Sequence, residues 1–149
     1  MLFPTHLLVG YGLGKWWGMS PYLAVVGAAL PDVIDKSAAT VGLFDLYQTV
    51  GHSVFVTTGI LGLLAVDRKW TPLFVGWVSH LVLDVVHMVL NGRPGDVRFL
   101  AWPVLKHEPA VDLPPFEFAI QYIGTPSFIL EIGLWIVVAI GLVDQRRST

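Results

Sequence analysis

Residues 71–90 read TPLFVGWVSHLVLDVVHMVL, a run of apolar side chains interrupted by two histidines and one carboxylate. At 1.5 Å per helical residue this stretch reaches across a hydrocarbon core about 30 Å thick. Pro72 suits a helix start, and Asn91-Gly92 a helix stop. An ionisable group at the bilayer centre costs roughly 2.5–3.5 kcal/mol, so His80, Asp84 and His87 need a partner, a cavity or a metal. A second apolar stretch, Pro126 to Val143, ends at Asp144-Gln145-Arg146-Arg147. A third, Val50 to Val66, is slightly short and is closed by Asp67-Arg68-Lys69. Two shorter pieces, Thr5 to Trp17 and Pro21 to Leu30, flank Gly18-Met19-Ser20 and form either a partly inserted hairpin or helices lengthened by their flanks. The pattern predicts an all-α integral membrane protein: one domain over residues 1–149 with four to five helices, the first two short, and no internal repeat.

Composition agrees. Charged residues make up 13% of the chain, about half the share of a soluble domain, and the apolar set makes up 54%. Too few polar side chains remain to cover a water-soluble globule. A net charge of −2 without a basic cluster speaks against nucleic acid as a partner. With no cysteine, disulfides and thiolate metal sites are excluded. No basic residue precedes Lys15, so the order of a signal peptide is missing and the first segment is expected to stay in the mature protein. The sequence sets no oligomeric state.

If successive segments alternate in direction, Lys15, Arg68, Lys69, Arg146 and Arg147 share one side in short connections and tails. Lys36, Arg93, Arg98 and Lys106 spread over two long connections on the other. The denser side is expected to be cytoplasmic, which makes this a multi-pass protein of the cell membrane. The connection over residues 91–122 holds Phe99, Leu100, Trp102, Phe116 and Phe118 with Pro103, Pro109, Pro114 and Pro115. It reads as an interfacial cap, with a plain surface loop as the alternative.

The same alternation brings the costly residues to one depth. His80, Asp84 and His87 sit at i, i+4 and i+7 on one helix face. His6 opens the first helix, Asp32 and Asp35 close the second, His52 opens the third, and Glu131 lies early in the last. All fall in the outer half of the bundle. Imidazole and carboxylate together form a ligand set for zinc, manganese or iron. Each residue also has a plainer reading: His80 with Asp84 as a buried hydrogen-bonded pair, Asp32 or Asp35 as a helix cap, His52 at the interface, Glu131 protonated against a carbonyl, and His107 solvated in its loop.

Several motifs in order carry a resemblance: Thr5-His6; Gly27-Ala28-Ala29-Leu30-Pro31-Asp32 followed by Asp35; Gly51-His52-Ser53; Ser79-His80-Leu81-Val82-Leu83-Asp84; and Gly92 with Asp96-Val97-Arg98-Phe99-Leu100-Ala101-Trp102-Pro103. Over about residues 5–103 the chain resembles the membrane-bound metal-dependent hydrolase family of bacteria and archaea. That family is itself distantly similar to zinc-dependent phospholipases C and single-strand nucleases. The resemblance implies metal ligation by His6, Asp32, His52, His80 and Asp84. Two positions differ from the family pattern. Two residues rather than one separate Asp32 from Asp35, and Tyr47-Gln48 stand where the family often has His-Arg. His87 or Glu131 is the candidate to supply a further ligand or to support one.

The function expected on these grounds is metal-dependent hydrolysis, with zinc first and manganese second, of a phosphoester or related bond in a lipid-like substrate at the outer interface. Asp35 is the candidate general base, and Arg98 or Arg93 the candidate phosphate partner. The alternative is a non-catalytic metal- or proton-handling membrane protein, in transport or with a metal-stapled structural role. Transport needs polar residues through both halves of the bilayer, and here they crowd into one.

Overall fold

The computed structural model describes residues 1–44, 47–105, 113 and 115–148. Lys106, His107, Pro109 and Pro114, and the side chain of Arg146, lie outside the described residues. The described residues form six α-helices and two 3₁₀ segments, with no strand. The helices are α1 (Phe3–Trp16), α2 (Pro21–Thr40), α3 (Val54–Val66), α4 (Thr71–Leu90), α5 (Pro115–Tyr122) and α6 (Pro126–Ser148). The 3₁₀ segments cover Arg68–Trp70, leading into α4, and Pro94–Ala101. α1, α2 and α4 each carry proline in the first turn, where the missing N–H costs nothing.

The second helix is the main departure from the sequence reading. It does not stop at Leu30 but runs through Pro31 to Thr40, a length of 20 residues. Pro31 removes one helical hydrogen bond, a cost of about 3 kcal/mol when nothing offsets it. Here tertiary packing does: Pro31 is buried, and the backbone of Gly51 lies directly against it. The stop comes instead at Gly42, whose φ of +74° closes the helix while Leu43 N–H donates to the Ala38 carbonyl at 2.9 Å. The Asn91-Gly92 stop of α4 falls where expected, with Gly92 at φ +73°.

Helix direction follows from who touches whom. Gly14 meets Pro21, and Gly10 meets Ala24 and Ala28, so α1 and α2 form an antiparallel pair. Gly76 lies on Ala24, and His80 on Ala28, so α4 runs alongside α2 in the same sense. Gly12 packs on Val138 and Gly141 on Trp16, which sets α6 parallel to α1. Lys15, Arg68, Lys69 and Arg147 therefore collect at one end of the bundle, as alternation requires. The α2–α4 crossing is at backbone contact: a Cβ on Gly76 would stand 1.9 Å from the Ala24 carbonyl oxygen, and one on Gly27 2.0 Å from that of Leu73.

Among the described residues, two helices, Arg68–Leu90 and Pro126–Gln145, are long and apolar enough to cross a membrane. α1 with 14 residues and α3 with 13 fall short of that length. The expected cap contains the Pro94–Ala101 segment and α5. Phe99 is fully buried against Trp77, Leu81 and Met88, so it belongs to the core rather than to an interface.

Candidate metal centre

Five side chains from four separate places in the chain converge: His6 from the first turns of α1, Asp32 from α2, His52 from the turn before α3, and His80 and Asp84 from α4. Two overlapping groups have ligand atoms all within 4.8 Å of one another: His6, His80 and Asp84, and Asp32, His52 and His80. All five residues are buried.

The tautomers of two of these histidines follow from their partners. His52 Nδ1 lies 2.6 Å from Asp35 Oδ2, and a carboxylate only accepts, so Nδ1 carries the proton. His80 Nδ1 lies 2.7 Å from the Ala28 carbonyl oxygen and is protonated for the same reason. In the neutral form of each ring Nε2 is then bare, and the two stand 3.1 Å apart. Asp84 Oδ2 lies 3.4 Å from each of them, and Asp32 Oδ1 3.8 Å from each. For zinc at 2.0–2.1 Å from its ligands, the edges of a tetrahedron are about 3.3–3.4 Å. His52 Nε2, His80 Nε2 and Asp84 Oδ2 thus present three donors at close to that spacing, with Asp32 Oδ1 farther off beside the two histidines. Behind them, Asp35 and the Ala28 carbonyl orient the rings, an arrangement common around metal-bound histidine.

Local structure explains why these positions hold. The Gly27 and Gly76 contacts let α2 and α4 approach until His80 reaches the Ala28 carbonyl. Gly51 lets the turn lie on Pro31; a Cβ there would stand 2.4 Å from the Pro31 carbonyl oxygen. Asp35 then gathers the turn, accepting from Thr49 N at 2.6 Å, Thr49 Oγ1 at 3.0 Å and Gly51 N at 2.8 Å. Ser53 Oγ donates to the Trp102 carbonyl at 2.7 Å and ties the same turn to the chain after the second 3₁₀ segment.

Several sequence-predicted residues take other places. Asp35, the expected general base, is fully buried behind His52 with both oxygens engaged, so it positions rather than reacts. His87 accepts from Arg93 at its Nε2, 3.0 Å away, and packs against the stacked rings of Tyr122 and Phe118, outside both ligand groups. Arg93, the expected phosphate partner, is held between His87 and Asp96, the latter at 3.1 Å. Arg98 is exposed on the 3₁₀ segment. Glu131 accepts from the Thr5 hydroxyl and from Leu2 N at 3.4 Å, joining α6 to α1. Burial pushes the nearby Tyr122 hydroxyl above its ordinary pKa, and the Glu131 carboxylate adds to the shift.

Two contacts were not anticipated. Gln48 Nε2 donates to Asp84 Oδ2 at 3.3 Å, so a side chain from the connection before His52 touches the centre. The Met1 α-amino group donates to Asp84 Oδ1, also at 3.3 Å. That same oxygen lies 3.3 Å from His6 Nε2. The His6 ring stacks on that of His80 at 3.9 Å, and its Nδ1 is buried with no hydrogen-bond partner among the described residues.

Compared with known proteins, the chain finds no counterpart: no family model, curated protein or solved structure matches it.

Proposed function

We propose that the chain is a membrane-embedded, metal-dependent hydrolase of phosphoester bonds in lipid-like substrates, with its centre toward the extracytoplasmic side. The single observation that carries the metal is the His52–His80 pair. With both rings neutral, their Nε2 lone pairs 3.1 Å apart, with carboxylates beside them, repel each other unless positive charge lies between. A divalent cation meets that need and fits the imidazole–carboxylate donor set, with zinc favoured by near-tetrahedral spacing. Membrane embedding is supported by α6: its apolar span is only 17% buried against the rest of the chain, unlike the core helix of a soluble protein.

His52, His80 and Asp84 Oδ2 would hold the ion, with a position left beside Asp32 Oδ1 for water; the ion would supply Lewis acidity and lower the pKa of that water. The chain's own residues do the rest. Asp35 fixes the His52 ring, and Asp84 Oδ1 turns toward His6. His6 takes over the role expected of Asp35, accepting a proton at its unpartnered Nδ1.

A proton shared by His52 and His80 would satisfy the same pair, and this is what a non-catalytic proton-handling protein would use. The two readings separate in one assay. Detergent-purified protein supplied with zinc or manganese is expected to release the headgroup or phosphate from a panel of phosphoester lipids, and His80→Ala to abolish that release. His6→Ala is expected to keep the metal and lose roughly 10²-fold or more in turnover, the scale of one general base. Metal-loaded protein inert toward every phosphoester would refute the hydrolase reading.

A further inference from the structure

Among the described residues of the centre, Asp32 has the most exposed side chain, 12% against 9% for Asp84 and none for His52 and His80. The Asp32 carboxylate has two faces. Oδ1 looks inward, 3.8 Å from both His52 Nε2 and His80 Nε2. Oδ2 looks outward and accepts from Lys36 Nζ at 2.6 Å. Exposure rises along the same line: none for the His52 and His80 side chains, 12% for that of Asp32 and 43% for that of Lys36. A shallow, open surface depression of about 340 Å³, lined by Lys36, Ser37, Thr40 and Val41 at the end of α2, lies beside that lysine.

We propose that Lys36 reads the anionic group of the substrate: a phosphoryl group approaching the centre from this surface accepts from the Lys36 ammonium beside Asp32. The inference rests on the metal-centre reading and names the substrate class and the residue that selects it. An ammonium has three donors, and Asp32 occupies one of them. Lys36 Nζ also lies 5.6 Å from the centre of the Phe3 ring, within cation–π reach, which keeps the ammonium over the start of α1 and close to the centre. An exposed i,i+4 ion pair adds little stability, so holding the helix together is a weak use for this lysine. Arg93, the cation expected for this task, is already held by His87 and Asp96.

The test uses the full chain in detergent, loaded with manganese, with metal content measured on every sample. Inorganic phosphate is titrated calorimetrically into wild type, Lys36→Met and Lys36→Arg. Phosphate binding that weakens about tenfold or more in Lys36→Met at unchanged metal content, and is largely kept in Lys36→Arg, supports the proposal; a charge-assisted hydrogen bond has this strength. Equal affinity in wild type and Lys36→Met, or no phosphate binding by metal-loaded wild type, overturns it and leaves the metal centre standing. A wild type that binds no metal overturns both. Glycerol phosphate and phosphatidic acid in mixed micelles serve as parallel arms. Tighter binding of phosphatidic acid, lost in Lys36→Met, assigns a lipid headgroup; equal binding of the two, likewise lost, assigns a soluble phosphoester. Micelle binding that survives in Lys36→Met counts against the proposal.

Discussion

His52 and His80 meet Nε2 to Nε2 at 3.1 Å, each with its Nδ1 proton committed to an acceptor from α2: Asp35 for one, the Ala28 carbonyl for the other. One helix therefore fixes the Nδ1 proton of both rings and turns their Nε2 atoms toward each other, and what it leaves between them is a place for positive charge.

Asp35→Asn keeps the size of the side chain and removes its charge. It also sets an amide among the donors of Thr49 and Gly51 that the carboxylate now accepts. The His52 ring loses its fixed orientation, and metal affinity is expected to fall about 10–100-fold, the usual effect of removing an outer partner of a metal-bound histidine. Competition with a chromogenic chelator measures it. Unchanged affinity would mean that Asp35 shapes the turn and nothing more.

Gly76→Ala tests the crossing that brings His80 to its carbonyl. The added methyl would overlap the Ala24 carbonyl, and because the clash is with backbone the two helices have to separate. A destabilisation of about 1–3 kcal/mol or more is expected, seen as a lower Tm in detergent together with weaker metal retention. A Tm equal to that of wild type would contradict the close crossing.

Glu131→Ala distinguishes a tie between helices from a spare ligand. The variant leaves the Thr5 hydroxyl and Leu2 N without their acceptor, a loss of about 1–3 kcal/mol for buried groups. Stability is expected to drop while metal content stays at the wild-type level. Loss of metal with stability intact would return Glu131 to the ligand set.

Much of this arrangement is legible in the sequence, and the exceptions have physical causes. Periodicity and the cost of burying charge are enough to bring His6, Asp32, His52, His80 and Asp84 to one depth. The true length of α2 is hidden because Pro31 reads as a stop, while what offsets it is the distant Gly51 packing on its backbone. The division of labour between Asp32 and Asp35 is hidden for a related reason. They lie three residues apart on one helix, and only the folded turn at 49–52 decides which of them faces His52 Nδ1. Gln48 carries no signal of its own, since a glutamine in a short connection is ordinary until its partner across the fold is known. Arg93 looks available in the sequence because its partners, His87 and Asp96, are themselves polar residues that could have served elsewhere.

Ile136→Arg tests the environment of α6. Ile136 is 53% exposed on a helix whose outward face also carries Ile129, Val137 and Ile140. An arginine near the centre of a span costs about 2.5–3.5 kcal/mol on insertion scales. Wild type is expected to stay in the membrane pellet after alkaline carbonate, and the variant to show a reduced membrane fraction. Wild type in the supernatant would contradict membrane embedding.

The central claim is that His52 and His80 face a metal ion, and metal content tests it directly. Inductively coupled plasma mass spectrometry on detergent-purified wild type, after incubation with zinc and manganese and removal of the excess, is expected to give about one equivalent or more of one metal. Three protein donors at tetrahedral spacing, with Asp32 beside them, predict that stoichiometry. His52→Ala and His80→Ala, each confirmed folded by its helical circular dichroism, are expected to retain almost none. Metal-free wild type, or folded variants that bind as much metal as wild type, would contradict the account and leave His52 and His80 as a pair that shares a proton.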